Sequence, residues 1–101
     1  MSKPWFLYMI ECVDGSIYTG IAVDVACRYA AHLQGIGARY TRSHPPRRLL
    51  GYEIHPDRSS ASTAEYRIKQ LSPGEKRRYA ASLIQSPAEM PDPESATRCL
   101  P

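Results

Sequence analysis

The stretch YMIECVDGSIYTGIAVDVACRYAAH, residues 8–32, decides how this chain folds. Upstream and into it, residues 5–11 read WFLYMIE, aromatic and branched and nearly continuous in apolarity, which predicts a central strand. Asp14-Gly15 is a strong hairpin signal, because both residues tolerate the positive φ of a tight turn. Residues 16–21, SIYTGI, then return as a second strand. Asp24 has the chemistry of an N-cap, and VACRYAAHLQ follows at helical period with Val25, Tyr29 and Leu33 expected on one buried stripe. Gly35 and Gly37 are placed to end that helix, since glycine enters the left-handed region without a Cβ penalty.

Beyond this unit, ARYTRSHPPRR reads as a proline-broken basic loop and LLGYEI, residues 49–54, as a third strand. HPDRSS is a turn, and a helix is expected from Ser59 or Ser60 through STAEYRIKQL. Ser72-Pro73-Gly74-Glu75 fits a capping box with proline at the first helical position. It opens a last helix, GEKRRYAASLIQ, with Tyr79 and Leu83 expected inward at i, i+4. The predicted class is α+β, a small three-stranded antiparallel sheet flanked by helices in the order β-β-α-β-α-α. Residues 1–85 are expected to form the domain and residues 86–101 a disordered tail, since SPAEMPDPESATRCLP holds four prolines, three acids and one arginine.

A chain of 101 residues has room for one domain with a small core. No apolar run approaches membrane-spanning length, and the first residues lack the apolar segment and cleavage site of a secretory signal, so no membrane association and a cytoplasmic location are expected. Cys12, Cys27 and Cys99 are odd in number without CxxC spacing and are expected as free thiols. The net charge of +3 understates a local bias. Residues 1–85 carry twelve basic against seven acidic side chains, or +5. From Val25 to Tyr52 there is no acid at all, while Arg28, Arg39, Arg42, Arg47 and Arg48 fall inside with Tyr29, Tyr40 and Tyr52 interleaved. That is the footprint of a polyanionic partner; a solvated basic loop is the plain alternative.

Phe6-Leu7-Tyr8 and Tyr18-Thr19-Gly20 set two tyrosines ten residues apart across the hairpin. This pair resembles the two tyrosine motifs of the GIY-YIG nuclease family. IAVDVACRYAAH is similar to that family's helix bearing an arginine and a His/Tyr position, and AEYRIKQLS to the helix that presents its glutamate. GIGARYTRSHPPRRLLGYE is similar to the GKGAKYTR region of the short stand-alone bacterial, YhbQ-like group. The resemblance covers roughly residues 4–80 and implies a GIY-YIG domain that hydrolyses nucleic-acid phosphodiesters with one divalent metal, Mg²⁺ or Mn²⁺, in DNA processing or repair. Phe6-Leu7 replaces Gly-Ile of the first motif, Cys27 stands where relatives often carry a charge, and the chain has no asparagine.

Under this resemblance the site residues are Tyr8, Tyr18, Arg28, His32 and Glu65. Hydrolysis needs an activated water, a cation beside the developing phosphorane and help for the leaving oxygen. Tyr8 and Tyr18 would orient and deprotonate the water, which requires a pKa below the ordinary tyrosine value of about 10. Their alternative is a pair of ordinary strand aromatics. Arg28 and His32, four apart, share one helix face; Arg28 offers a planar fork to the scissile phosphate. His32 would help hold water or phosphate, or else be a satisfied core histidine. Glu65 is the metal ligand, a single carboxylate suited to one Mg²⁺ that keeps several waters; its alternative is an exposed pair with Lys69 at i+4.

The loop of residues 35–48 would meet the nucleic acid through Arg39, Arg42, Arg47 and Arg48, with Tyr40 available to stack on an unpaired base. DNA is expected over RNA, and nothing in the loop encodes base readout. Two other readings compete with the endonuclease: a catalytically weak or inactive nucleic-acid-binding module, and an accessory subunit that docks a larger repair protein.

Overall fold

In a computed structural model, which describes residues 4–36 and 38–84, the chain forms β1 (Trp5–Cys12), β2 (Ile17–Ala22), α1 (Val25–Leu33), α2 (Arg39–Ser43), β3 (Pro46–His55), α3 (Arg58–Lys69) and α4 (Pro73–Ala81). The sheet is antiparallel with strand order β2-β1-β3, so the continuously apolar first strand lies in the centre, as its composition requires. The tail expected over residues 86–101, with Cys99, lies outside the described residues, as does Gly37. The other expected helix terminator, Gly35, follows α1 at φ +77°.

Alternation along β1 separates two cores. Leu7 and Met9 face α3 and α4 and pack with Ile68, Ala80 and Leu83. Tyr8 and Ile10 face the other way and pack with Ala22 and Tyr29 of α1. Asp24 caps α1 by accepting from the Cys27 amide, and Asp57 caps α3 by accepting from the Ser60 amide. The Ser72–Glu75 capping box and Pro73 open α4 as expected. On the α3/α4 side, Tyr79 donates to Glu53, whose other oxygen bonds His55, which in turn bonds Ser60. That chain ties β3 to both helices.

Four expectations are corrected. Leu33 is exposed while His32 takes its place on the buried stripe of α1. Seven residues at about 100° each return within about 20° of Val25, whereas eight overshoot to about 80°. ARYTRSH is not an open loop, since Arg39–Ser43 make one helical turn that buries Thr41. Strand β3 begins at Pro46, not at Leu49, because Cys12 and Glu11 of β1 pair with Pro46 and Arg48; proline at the first strand position gives up no ladder bond within the strand. The last helix stops at Ala81, and Leu83 reaches the core from a turn whose next residue, Ile84, pairs with Tyr52. Of the cysteines, Cys12 is a buried free thiol, as expected.

Candidate active site

The site grows from the face of β1 and β2 that α1 covers. Tyr8 and Gly20 are partners in the β1–β2 register. A Cβ at position 20 would lie 2.6 Å from Tyr8 Oη, 2.7 Å from its Cζ and 3.0 Å from Tyr18 Cε2. Glycine there is what lets the Tyr8 ring lie flat across the neighbouring strand. The hydroxyl so placed meets His32 Nε2 at 2.8 Å, and both residues are buried. Tyr18 is half-buried on the edge strand and its ring centroid lies 6.3 Å from that of Tyr8 and 5.1 Å from that of His32.

The far side of His32 is equally occupied. Its Nδ1 meets Thr41 Oγ1 at 2.6 Å, the Ala38 amide points at the same nitrogen from 3.4 Å, and the Thr41 hydroxyl donates to the Ala38 carbonyl at 3.0 Å. Burial and the nearby Arg28 charge hold the His32 pKa down to about 4, so the ring is neutral near pH 7. With both nitrogens bonded to protein, His32 has no free atom with which to hold water or phosphate. That expectation gives way to a histidine that backs Tyr8.

For Tyr8 the required lowering of the pKa is also absent. Burial and then the Tyr18 hydroxyl raise it above the ordinary tyrosine value, with the Arg28 guanidinium offsetting part of the rise. Tyr8 is therefore a neutral phenol here, poised to donate to His32. Arg28 stands exposed on α1 with its charge felt at both Tyr8 and His32. Four of the five expected residues thus form one cluster on the α1 side of the sheet.

Glu65 comes from a different helix than Arg28 and His32. It lies on α3, whose Ala64 and Ile68 pack on the opposite sheet face, and its carboxylate pairs with Lys69 at 3.3 Å. Among the described residues no group of three or more His, Cys, Asp or Glu side chains could hold a metal ion. A lone half-buried carboxylate nonetheless suits a cation that keeps most of its water.

Of the arginines in the basic stretch, Arg39, Arg42 and Arg47 are exposed. Arg48 is not free: its Nε donates to Glu11 at 3.1 Å, and Arg77 donates to the other carboxylate oxygen at 2.8 Å and to the Gly15 carbonyl at 2.6 Å. Arg77 first, then Arg48, hold the Glu11 carboxyl below its usual range against the effect of burial. Tyr40 already has two stacked neighbours, Tyr18 at 5.9 Å and His44 at 4.1 Å, so an incoming base would have to displace a ring. The sequence reading missed Thr41, Gly20 as the seat of Tyr8, and His44, which reaches Asp14 of the hairpin at 3.7 Å. The signal for His44 was its i+4 spacing from Tyr40; Thr41 carried none while its segment read as a loop.

This cluster, a tyrosine from each strand of the first hairpin with an arginine and histidine from the next helix, is the arrangement that the resemblance to GIY-YIG nuclease domains implies. The family model of the GIY-YIG catalytic domain matches residues 4–79, and the chain belongs to that family. It is 47% identical to a UPF0213 protein of Cupriavidus pinatubonensis over 84% of this chain and 94% of that one. It is 45% identical to the UPF0213 protein YhbQ of Escherichia coli over 77% and 78%. The solution NMR structure of a UPF0213 protein from Bacillus halodurans superposes with a TM-score of 0.51 at 39% identity, covering 86% of this chain and 92% of that one. The fold is thus the small α+β fold of this family, and its nuclease class implies a nucleic-acid substrate. No helix among the described residues is long and apolar enough to cross a membrane.

Proposed function

We propose that the protein is a divalent-metal-dependent endonuclease that hydrolyses phosphodiesters of DNA, with branched or single-stranded regions preferred over any sequence, in DNA processing or repair. The observation that carries this reading is the buried Tyr8–His32 hydrogen bond opening onto Tyr18 and the Arg28 guanidinium. Arg28 binds the scissile phosphate and lowers the penalty on its developing charge. Tyr18, the more exposed tyrosine, orients the attacking water. As water attacks phosphorus, its proton passes to the Tyr8 oxygen while the Tyr8 proton moves to His32 Nε2. The neutral imidazole thereby does what a buried phenol cannot do alone. Glu65 would hold a Mg²⁺ or Mn²⁺, which supplies positive charge for the phosphorane and the leaving oxygen. Arg39, Arg42 and Arg47 meet the flanking backbone.

The Glu65–Lys69 ion pair favours a second reading, a nucleic-acid-binding module with little or no chemistry, alone or as the accessory of a larger repair protein. One assay separates them. Labelled single-stranded, duplex and branched DNA are incubated with the protein in Mg²⁺, Mn²⁺ or EDTA, beside Glu65→Gln and Arg28→Ala. Metal-dependent cleavage lost in both variants supports the nuclease. Binding without cleavage in every condition replaces it with the second reading, and cleavage that persists in EDTA assigns the activity elsewhere.

A further inference from the structure

We infer that Thr41 is the positioning residue of the candidate site: its buried hydroxyl fixes the tautomer of His32, so that Nε2 presents a bare lone pair to Tyr8. The inference rests on the nuclease reading for its kinetic consequence but not for its geometry.

Proton counting carries it. The Ala38 carbonyl has no hydrogen, so a 3.0 Å contact with Thr41 Oγ1 needs the threonine proton. Pointed elsewhere, that proton would leave the two oxygens facing each other lone pair to lone pair at 3.0 Å, with the Arg42 amide at 3.3 Å the carbonyl's remaining donor. With its one proton used, Oγ1 can only accept at 2.6 Å from His32, which puts a hydrogen on Nδ1. A neutral imidazole then has no hydrogen on Nε2, and the 2.8 Å contact is Tyr8 O–H donating to it. The opposite tautomer would gain the Ala38 amide at 3.4 Å, the longest contact of the set, and would give up the threonine–carbonyl bond. It would also turn His32 into a donor toward Tyr8 and send the phenolic proton toward the Tyr18 hydroxyl instead. Threonine suits the position because its hydroxyl accepts and donates at once from one turn of helix, while its methyl shares a fully buried environment.

The test uses the full chain with ¹⁵N-labelled histidine at neutral pH. Long-range ¹⁵N–¹H spectra are expected to show a protonated, pyrrole-type Nδ1 and a bare, pyridine-type Nε2 for His32. Thr41→Val, close in shape and without the hydroxyl, should move the ring toward the Nε2–H tautomer and lower kcat about 10–100-fold with KM nearly unchanged. Thr41→Ser should restore both. A wild-type ring protonated on Nε2 overturns the inference, and so does a folded Thr41→Val protein whose tautomer is unmoved. Where Thr41→Val fails to fold, the wild-type spectrum and Thr41→Ser still decide. If the wild type cleaves nothing but shows the expected tautomer, the nuclease reading fails while the role of Thr41 in setting His32 stands.

Discussion

The ring of Tyr8 lies across Gly20, its register partner on β2, so closely that a single methyl at position 20 would sit 2.6 Å from the phenolic oxygen. Gly20→Ala should therefore destabilise the fold by about 1–3 kcal/mol, the usual range for overpacking a close contact. Cleavage should fall further than stability, because relief comes by swinging Tyr8 off His32. Tyr8→Phe should not rescue the variant, since Cζ remains 2.7 Å away, whereas Tyr8→Leu should make the two changes non-additive. Urea unfolding of the wild type and these single and double variants measures this; additive effects of Gly20→Ala and Tyr8→Leu would show that the ring does not need the glycine.

Tyr8→Phe alone removes the buried hydroxyl that bonds His32. Cleavage should drop about 10²–10⁴-fold, the range for loss of a proton-transfer group. Because burial and Tyr18 raise the Tyr8 pKa, a spectrophotometric titration should also lose one late-titrating phenol in the variant, above the ordinary tyrosine range. If the missing phenol is one that titrates below that range, Tyr8 works as a preformed phenolate and the relay through His32 is wrong.

His32 makes the fold acid-sensitive. Its folded pKa, about 4, lies below the unfolded value of 6.5. Above pH 6.5 both states leave the ring neutral and nothing is lost. Between there and about 4 only the unfolded chain takes up the proton, so stability falls as pH falls. A depression of that size corresponds to roughly 3 kcal/mol in all, an order-of-magnitude figure. His32→Gln should flatten this segment of the stability curve in denaturant titrations across pH. An equally steep fall in the variant would place the acid sensitivity elsewhere, with the Glu11 carboxylate the next group to test.

What the sequence disclosed and what it hid follow from the range of the interactions involved. Strand positions, the Asp24 cap and the Ser72–Glu75 capping box were legible because turn chemistry and capping act within a few residues. The tyrosine pair and Arg28 were legible through spacing and motif. Burial was less so. Whether His32 faces water or protein depends on α2, a single turn that local propensity does not announce and that exists because Thr41 has a buried partner 9 residues away. Likewise Arg48 read as a free cation until Arg77, 66 residues from Glu11, closed the carboxylate between two guanidiniums. The state of a titratable group is set by what arrives from elsewhere in the chain, and no window along the sequence contains it.

On the proposed reading, Glu65 would carry the metal dependence. Glu65→Gln should abolish metal-stimulated cleavage yet leave thermal stability nearly unchanged, since its pair with Lys69 is a surface i, i+4 contact worth only about 0.3–0.5 kcal/mol. Lys69→Ala should weaken metal activation much less, or improve it by freeing the carboxylate. Titration with Mn²⁺ followed by relaxation enhancement measures occupancy without requiring turnover. Undiminished Mn²⁺ binding in Glu65→Gln would move the cation to other ligands.

The arginines of the basic stretch should divide by their partners. Arg39, Arg42 and Arg47 are exposed and form no ion pair among the described residues, so each alanine variant should leave stability unchanged. Each should weaken DNA binding and lower the steepness of its salt dependence by about one unit for every phosphate left without its arginine. Arg48 differs, because its Nε and Arg77 together hold the buried Glu11 carboxylate. Arg48→Ala and Arg77→Ala should therefore lower the unfolding temperature, while Arg77→Ala leaves the salt slope alone. Fluorescence anisotropy with a labelled oligonucleotide between about 50 and 200 mM salt reads the slope directly. Equal slopes for all of these variants would mean that the basic stretch does not touch the nucleic-acid backbone at all.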